Sequence, residues 1–172
     1  MAFWDIFKEK KTETTKLSTI HAKIVELIPD QEDEKLIKLA CISGLLARVA
    51  YIDFEVHTNE IDDMEAALVE WGNLSEELSK NIVTIAIEEI KDLAGLENHK
   101  YCQPLTNLMK PEERYSLLKA LFSIAASDGQ VEEKESEEIR IISRGLRLQH
   151  QDFISARVSV LNKIKSLMKE TK

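Results

Sequence analysis

Ile42, Leu45, Leu46 and Val49 fall at i, i+3, i+4 and i+7, a spacing that lines one face of an α-helix and does not match the alternation of a strand. The helical rhythm returns at Ile61, Met64, Leu68 and Trp71, and again at Leu117, Leu121, Ile124 and Ala125. A strand-rich fold would need many tight turns, and the chain has 5 Gly and 3 Pro in 172 residues. The expected fold class is therefore all-α, a helical bundle of about seven to eight helices. The length favours one domain over residues 1–172, large enough to bury roughly 70% of the surface its unfolded chain exposes.

Local signals divide the chain. Residues 1–12 are an amphipathic N-terminal segment, with Phe3, Trp4, Ile6 and Phe7 followed by Lys8, Lys10 and Lys11. A helix over Lys16–Ile28 stops at Pro29, which cannot continue it. Asp30 is placed to cap a second helix running to Ile52. Asp53-Phe54-Glu55-Val56-His57 reads as a loop. The next helix spans Thr58–Trp71 and ends at Gly72-Asn73. Ser75 caps a helix continuing to Ala94. Residues 95–110 read as the longest irregular loop, with Tyr101 and Met109 offered as a partner surface. Pro111 opens a further helix at the position proline favours, and Asp128-Gly129 closes it. Helices over Glu132–Leu146 and Gln151–Met168 complete the chain.

A shift of 75 residues carries Asp53 onto Asp128, Val49 onto Ile124, Ala50 onto Ala125 and Val56 onto Val131. It also carries Glu60 onto Glu135, Asp62 onto Glu137, Met64 onto Ile139 and Trp71 onto Leu146. Apolar meets apolar and acid meets acid across a helix-loop-helix. This predicts two similar units, 36–94 and 111–168, related by a pseudo-two-fold axis.

Net charge is −8, so contact with nucleic acid begins with repulsion and none is expected. A protein partner is expected. Cys41 sits in an apolar run and reads as a small core residue, and Cys41 and Cys102 make no disulfide framework. No apolar run reaches the roughly 20 residues that span a bilayer, and the N-terminus lacks a secretory pattern. A cytoplasmic location is expected.

The second unit reads Ile124-Ala125-Ala126-Ser127-Asp128-Gly129-Gln130-Val131-Glu132-Glu133-Lys134-Glu135. This resembles the recurrent pattern of the TerB (tellurite-resistance protein B) family: a small apolar helix end, Asp-Gly, an aliphatic residue two positions on, then acids opening a helix. Ile142-Ser143-Arg144-Gly145-Leu146 is similar to the family's helix ending, and Met1-Ala2-Phe3-Trp4-Asp5 to its aromatic opening. The resemblance covers most of residues 36–168. It implies a bundle of about seven helices, a place in tellurite resistance and general stress response, and work alongside membrane-associated and metal-binding partners rather than catalysis. Phe54 departs from the pattern, standing where the second unit has Gly129. Positive φ is natural for Gly and costly for Phe, so the first loop is expected to follow a different backbone path.

Asp53, Glu60, Asp128 and Glu135 occupy matching positions at the two loop-helix junctions. If the junctions face each other, these four are candidate ligands for a divalent cation, Ca²⁺, Mg²⁺ or Mn²⁺, since hard cations prefer oxygen ligands. His57 is either a fifth ligand or an exposed loop residue. The loops lack the alternating Asp/Asn ligands of an EF-hand. The competing reading is structural: acids at helix N-termini cap them and offset the dipole, at about 0.3–1 kcal/mol each. Arg140, Arg144 and Arg147, spaced at i, i+4 and i+7, are either the basic close of a helix or a docking stripe. The N-terminal aromatics suit either weak peripheral membrane contact or docking on the protein's own bundle. His99 and Cys102 lack the second pair that a zinc site needs. No phosphate-binding loop, nucleophile elbow or paired-His motif is present, so no catalytic residues and no enzyme activity are expected. The expected role is a TerB-like interaction module that binds a cation at its acidic junctions and presents a charged face to a partner. The alternatives are a metal-free scaffold and a metal-dependent hydrolase.

Overall fold

The computed structural model describes residues 14–93 and 99–171. Among these, eight helices form and no strand does: α1 (Thr14–Leu27), α2 (Asp33–Ala50), α3 (Thr58–Gly72), α4 (Glu76–Leu93), α5 (His99–Leu108), α6 (Pro111–Ala125), α7 (Glu133–Gly145) and α8 (His150–Glu170). The amphipathic segment over residues 1–12 lies outside the described residues.

Helix α2 is the hub. Thirteen of its 18 residues are buried, on every side of the helix. Gly44, Ala40, Ala47 and Ala50 keep its girth small, and α1, α3, α4, α5, α6 and α7 all pack on it. A helix apolar all round is stable in water only when wrapped in this way. Cys41 is fully buried, as expected of a small core residue. Burial pushes its thiol up, out of the range in which it reacts.

The packing pairs recur at the 75-residue shift. Helix α2 packs on α3 and α4, as α6 packs on α7 and α8. Helix α3 packs on α4, as α7 packs on α8, and across the two sets α3 meets α6 while α2 meets α7. Ion pairs tie neighbours at the rim of the core. Lys23 of α1 pairs with Glu89 of α4, and Arg48 of α2 with Glu138 of α7.

Residues 95–110 are not one irregular loop. Helix α5 occupies His99–Leu108, despite Pro104 in its interior, which normally costs about 3 kcal/mol. The offsetting term is burial. Tyr101, Leu105 and Met109, at i, i+4 and i+8, and Cys102 beside them all enter the core. Tyr101 and Met109 are therefore packing residues and not a partner surface. The Tyr101 ring lies so close to Gly44 that a Cβ added there would stand 2.4 Å from ring atom Cε1. The second helix also begins later than its first acid implied. Its N-cap is Glu32, and Asp30 lies in the turn before it.

Candidate functional site

Four helices start with the same device. The backbone N–H of the N-cap residue donates to a carboxylate three residues on: His57 to Glu60 Oε2 at 2.7 Å, Lys110 to Glu113 Oε2 at 2.7 Å, Glu132 to Glu135 Oε2 at 2.8 Å, and Gln149 to Asp152 Oδ2 at 2.8 Å. Each bond satisfies an N–H that the helix cannot. Glu113 and Asp152 do this while partly exposed, whereas Glu60 and Glu135 are only 5% and 8% exposed. The two buried carboxylates are the pair that the 75-residue shift superposes.

The loops before them match bond for bond. The Asp53 side chain accepts from Glu55 N–H at 3.1 Å, and Asp128 from Gln130 N–H at 3.0 Å. Phe54 N–H donates to the Tyr51 carbonyl at 3.0 Å, and Gly129 N–H to that of Ala126 at 2.8 Å. Phe54 has φ 68° and Gly129 φ 95°. The different path expected for the first loop is not taken, because Phe adopts the conformation that Gly holds freely. The steric cost, about 1–2 kcal/mol, is borne by the surrounding turn bonds and by the edge-on contact of the Phe54 and Tyr51 rings, 5.7 Å apart.

The two junctions act on each other. Burial pushes Glu135 up to about 7, against the Glu132 N–H bond, and the charges of Glu132, Glu60 and Asp128 push the same way. Burial also raises Glu60, opposed by the His57 N–H bond and the His57 ring and helped by Asp53 and Asp128. Acids of the two junctions thus stand close enough for their charges to act on one another. His57 is exposed, with Nε2 3.6 Å from Asp53 Oδ2. Among the described residues, no Lys or Arg pairs with Asp53, Glu60, Asp128 or Glu135.

The chemistry open to this group is electrostatic. Each of the four carboxylates spends one oxygen on a local N–H bond and keeps a second. A hard cation or a proton would relieve the crowding of negative charge. Among the described residues, no three His, Cys, Asp or Glu side chains stand together as a ready ligand set. A direct four-carboxylate cage would thus require side chains to rotate, while a hydrated cation would need less movement.

The arginine stripe does not form. Arg140 is engaged by Glu137 at 3.5 Å and lies 5.4 Å from the centre of the Phe153 ring. Helix α7 ends at Gly145, and Arg147 lies beyond it at φ 55°. The helical spacing that relates the three in the sequence breaks at that point. The acid-first, base-last order of α7 remains, with Glu133 and Glu135 in the first turn and Arg144 in the last, as the helix dipole favours. Phe54, the largest departure from a bland loop surface, was visible in the sequence only as a mismatch with Gly129.

Fold and junctions together define an all-helical module organised around paired acid-capped helix starts. The model of the family described as "Tellurite resistance protein TerB" matches residues 38–158. The chain therefore belongs to the TerB family, and it is a tellurite-resistance-associated module of that type. No curated protein and no solved structure matches it. No described helix is long and apolar enough to cross a membrane.

Proposed function

We propose that this TerB module is a non-enzymatic adaptor whose acidic junctions take up a divalent cation, Ca²⁺, Mg²⁺ or Mn²⁺, and so control contact with a protein partner. The two junctions act as one unit, descended from a duplicated helix-loop-helix about a pseudo-two-fold axis. The observation that carries this reading is the mutual repulsion of Glu60, Glu135 and Asp128, which belong to two loop-helix junctions and have no Lys or Arg partner among the described residues. Solvated caps would serve the helices equally well, as Glu113 and Asp152 do. Burying the other two beside each other raises the energy of the ionised state, and a bound cation lowers it. In this reading the exposed Asp53 and Asp128 meet the cation first, the buried Glu60 and Glu135 stand behind them, and His57 pairs with Asp53.

A metal-free scaffold is the second reading. The observation favouring it is that every one of these acids already has a local hydrogen bond. Calorimetric titration of chelator-stripped protein with Ca²⁺, Mg²⁺, Mn²⁺ and Zn²⁺ separates the two. The comparison is an Asp53→Asn, Asp128→Asn double variant, which keeps the Oδ1 acceptors and hence the loops. Saturable binding of a hard cation that the variant loses is the expected result. Heat-silent titrations of the wild-type protein, with its thermal stability unmoved by any of the ions, would leave the scaffold.

A further inference from the structure

Phe54 is 72% exposed. Its ring is held in water at a backbone position where glycine, as in the matching turn, would carry no strain. A strained, exposed aromatic is stabilising only if something covers it. Exposed Asp53 and Glu55 flank it. Nearby chemistry repeats the combination at the second loop. Exposed Met168 of α8 lies over Gly129, where an added Cβ would stand 2.6 Å from its Cε, and exposed Leu167 adjoins it. Apolar side chains set among acids that no Lys or Arg pairs among the described residues call for an occupant that is both apolar and cationic.

The chain carries such a segment. Residues 1–11 hold Phe3, Trp4, Ile6 and Phe7 with Asp5 among them, followed by Lys8, Lys10 and Lys11 around Glu9, three lysines against two acids. The point where the segment joins the bundle is set by topology. The short turn over 28–32 folds α1 back along α2, on which it packs. The start of α1 consequently lies toward the end of α2 from which the Tyr51–His57 loop leaves. With about 1.5 Å per helical residue, Thr14 falls short of that loop by only a few residues of α2. The preceding 13 residues can span roughly 40 Å when extended.

We propose that residues 1–11 are the in-chain occupant of this acidic end. In this arrangement the aromatic side chains cover Phe54, and the lysines bring positive charge to Asp53, Asp128, Glu60 and Glu135. The segment's lysines take the place of a cation at the same four carboxylates, so the test is read on chelator-stripped protein and its outcome does not depend on whether a cation binds. The other exposed apolar strip, Ile154 and Val158, lies in the first half of α8, ten residues or more before the Met168 that covers Gly129.

The test uses the full chain carrying Ala2→Cys with a nitroxide label and reads paramagnetic broadening of backbone amides. Cys41 and Cys102 are buried, with thiols pushed up, to about 12 for Cys102, so the label goes to position 2 alone. Broadening should centre on residues 51–57 and 128–132, persist on dilution, weaken with salt, and disappear in Phe54→Gly with Lys8, Lys10 and Lys11 changed to Glu. Phe54→Gly suits the turn's φ, so the variant folds. Broadening centred on Ile154 and Val158, broadening lost on dilution, or broadening seen nowhere until anionic lipid vesicles are added would each overturn the proposal.

Discussion

Glu135 shows how one side chain serves two opposed demands. Its carboxylate caps α7 through Glu132 N–H, yet burial and three neighbouring acids push its titration up to about 7, well above the ordinary carboxylate range. The folded state therefore holds this proton more tightly than the unfolded chain does. Below the unfolded pKa both states are protonated and the group's contribution to stability is complete. As pH rises through about 7, that contribution is lost. Glu135→Gln keeps an acceptor for the cap and removes the charge. It should leave stability nearly unchanged at about pH 4–5 and raise it at about pH 8, where the wild-type side chain is ionised. Urea unfolding at both pH values measures this, and equal effects at the two would show that Glu135 titrates normally. The 75-residue match in the sequence identified these residues. It did not give their burial, which depends on how α3 and α6 meet, nor the left-handed Phe54, which residue preference argues against.

At the scale of the element, α5 separates what periodicity can reveal from what composition hides. The spacing of Tyr101, Leu105 and Met109 is helical, but Pro104 and the polar residues around it point to a loop. Tertiary burial decided the outcome. The same burial explains Gly44. Its missing side chain is the space that the Tyr101 ring fills, so α5 can lie against α2 only while that position stays bare. Gly44→Ala should cost about 1–3 kcal/mol by overpacking, even though alanine is the better helix former. In the double variant with Tyr101→Leu the cost should fall below the sum of the single changes. Additive losses in chemical denaturation would place the strain elsewhere. Helices whose apolar faces repeat without interruption, α2, α3 and α6, were legible within a few residues at each end. Their caps were less so, since Ser75 does accept from Leu78 N–H at 3.2 Å but Asp30 lies outside its helix.

Across the whole molecule, stability is distributed around α2. Six of the other helices pack on it, while the far end of α8, beyond Ile164, is exposed along its length. Amide hydrogen exchange should rank accordingly. The amides of α2 should exchange only with global unfolding, and those of the last turns of α8 through local fraying. Exchange of α2 at the rate of the α8 terminus would mean that the bundle opens in pieces rather than about its hub. The all-α class was legible because it rests on local periodicity. The central place of α2 was foreshadowed only by its lack of a polar face.

That lack of a polar face also has a consequence during synthesis. Helix α2 is complete at Ala50, and the helix that closes its far side, α6, is complete only at Ala125. At translation rates of about 5–20 residues per second, α2 spends on the order of 4–15 seconds outside the ribosome without one of its main coverings. During that interval the most apolar stretch of the chain is available to any apolar surface nearby. Until α3 to α6 emerge, α1 alone of the helices that pack on it is available to shelter it.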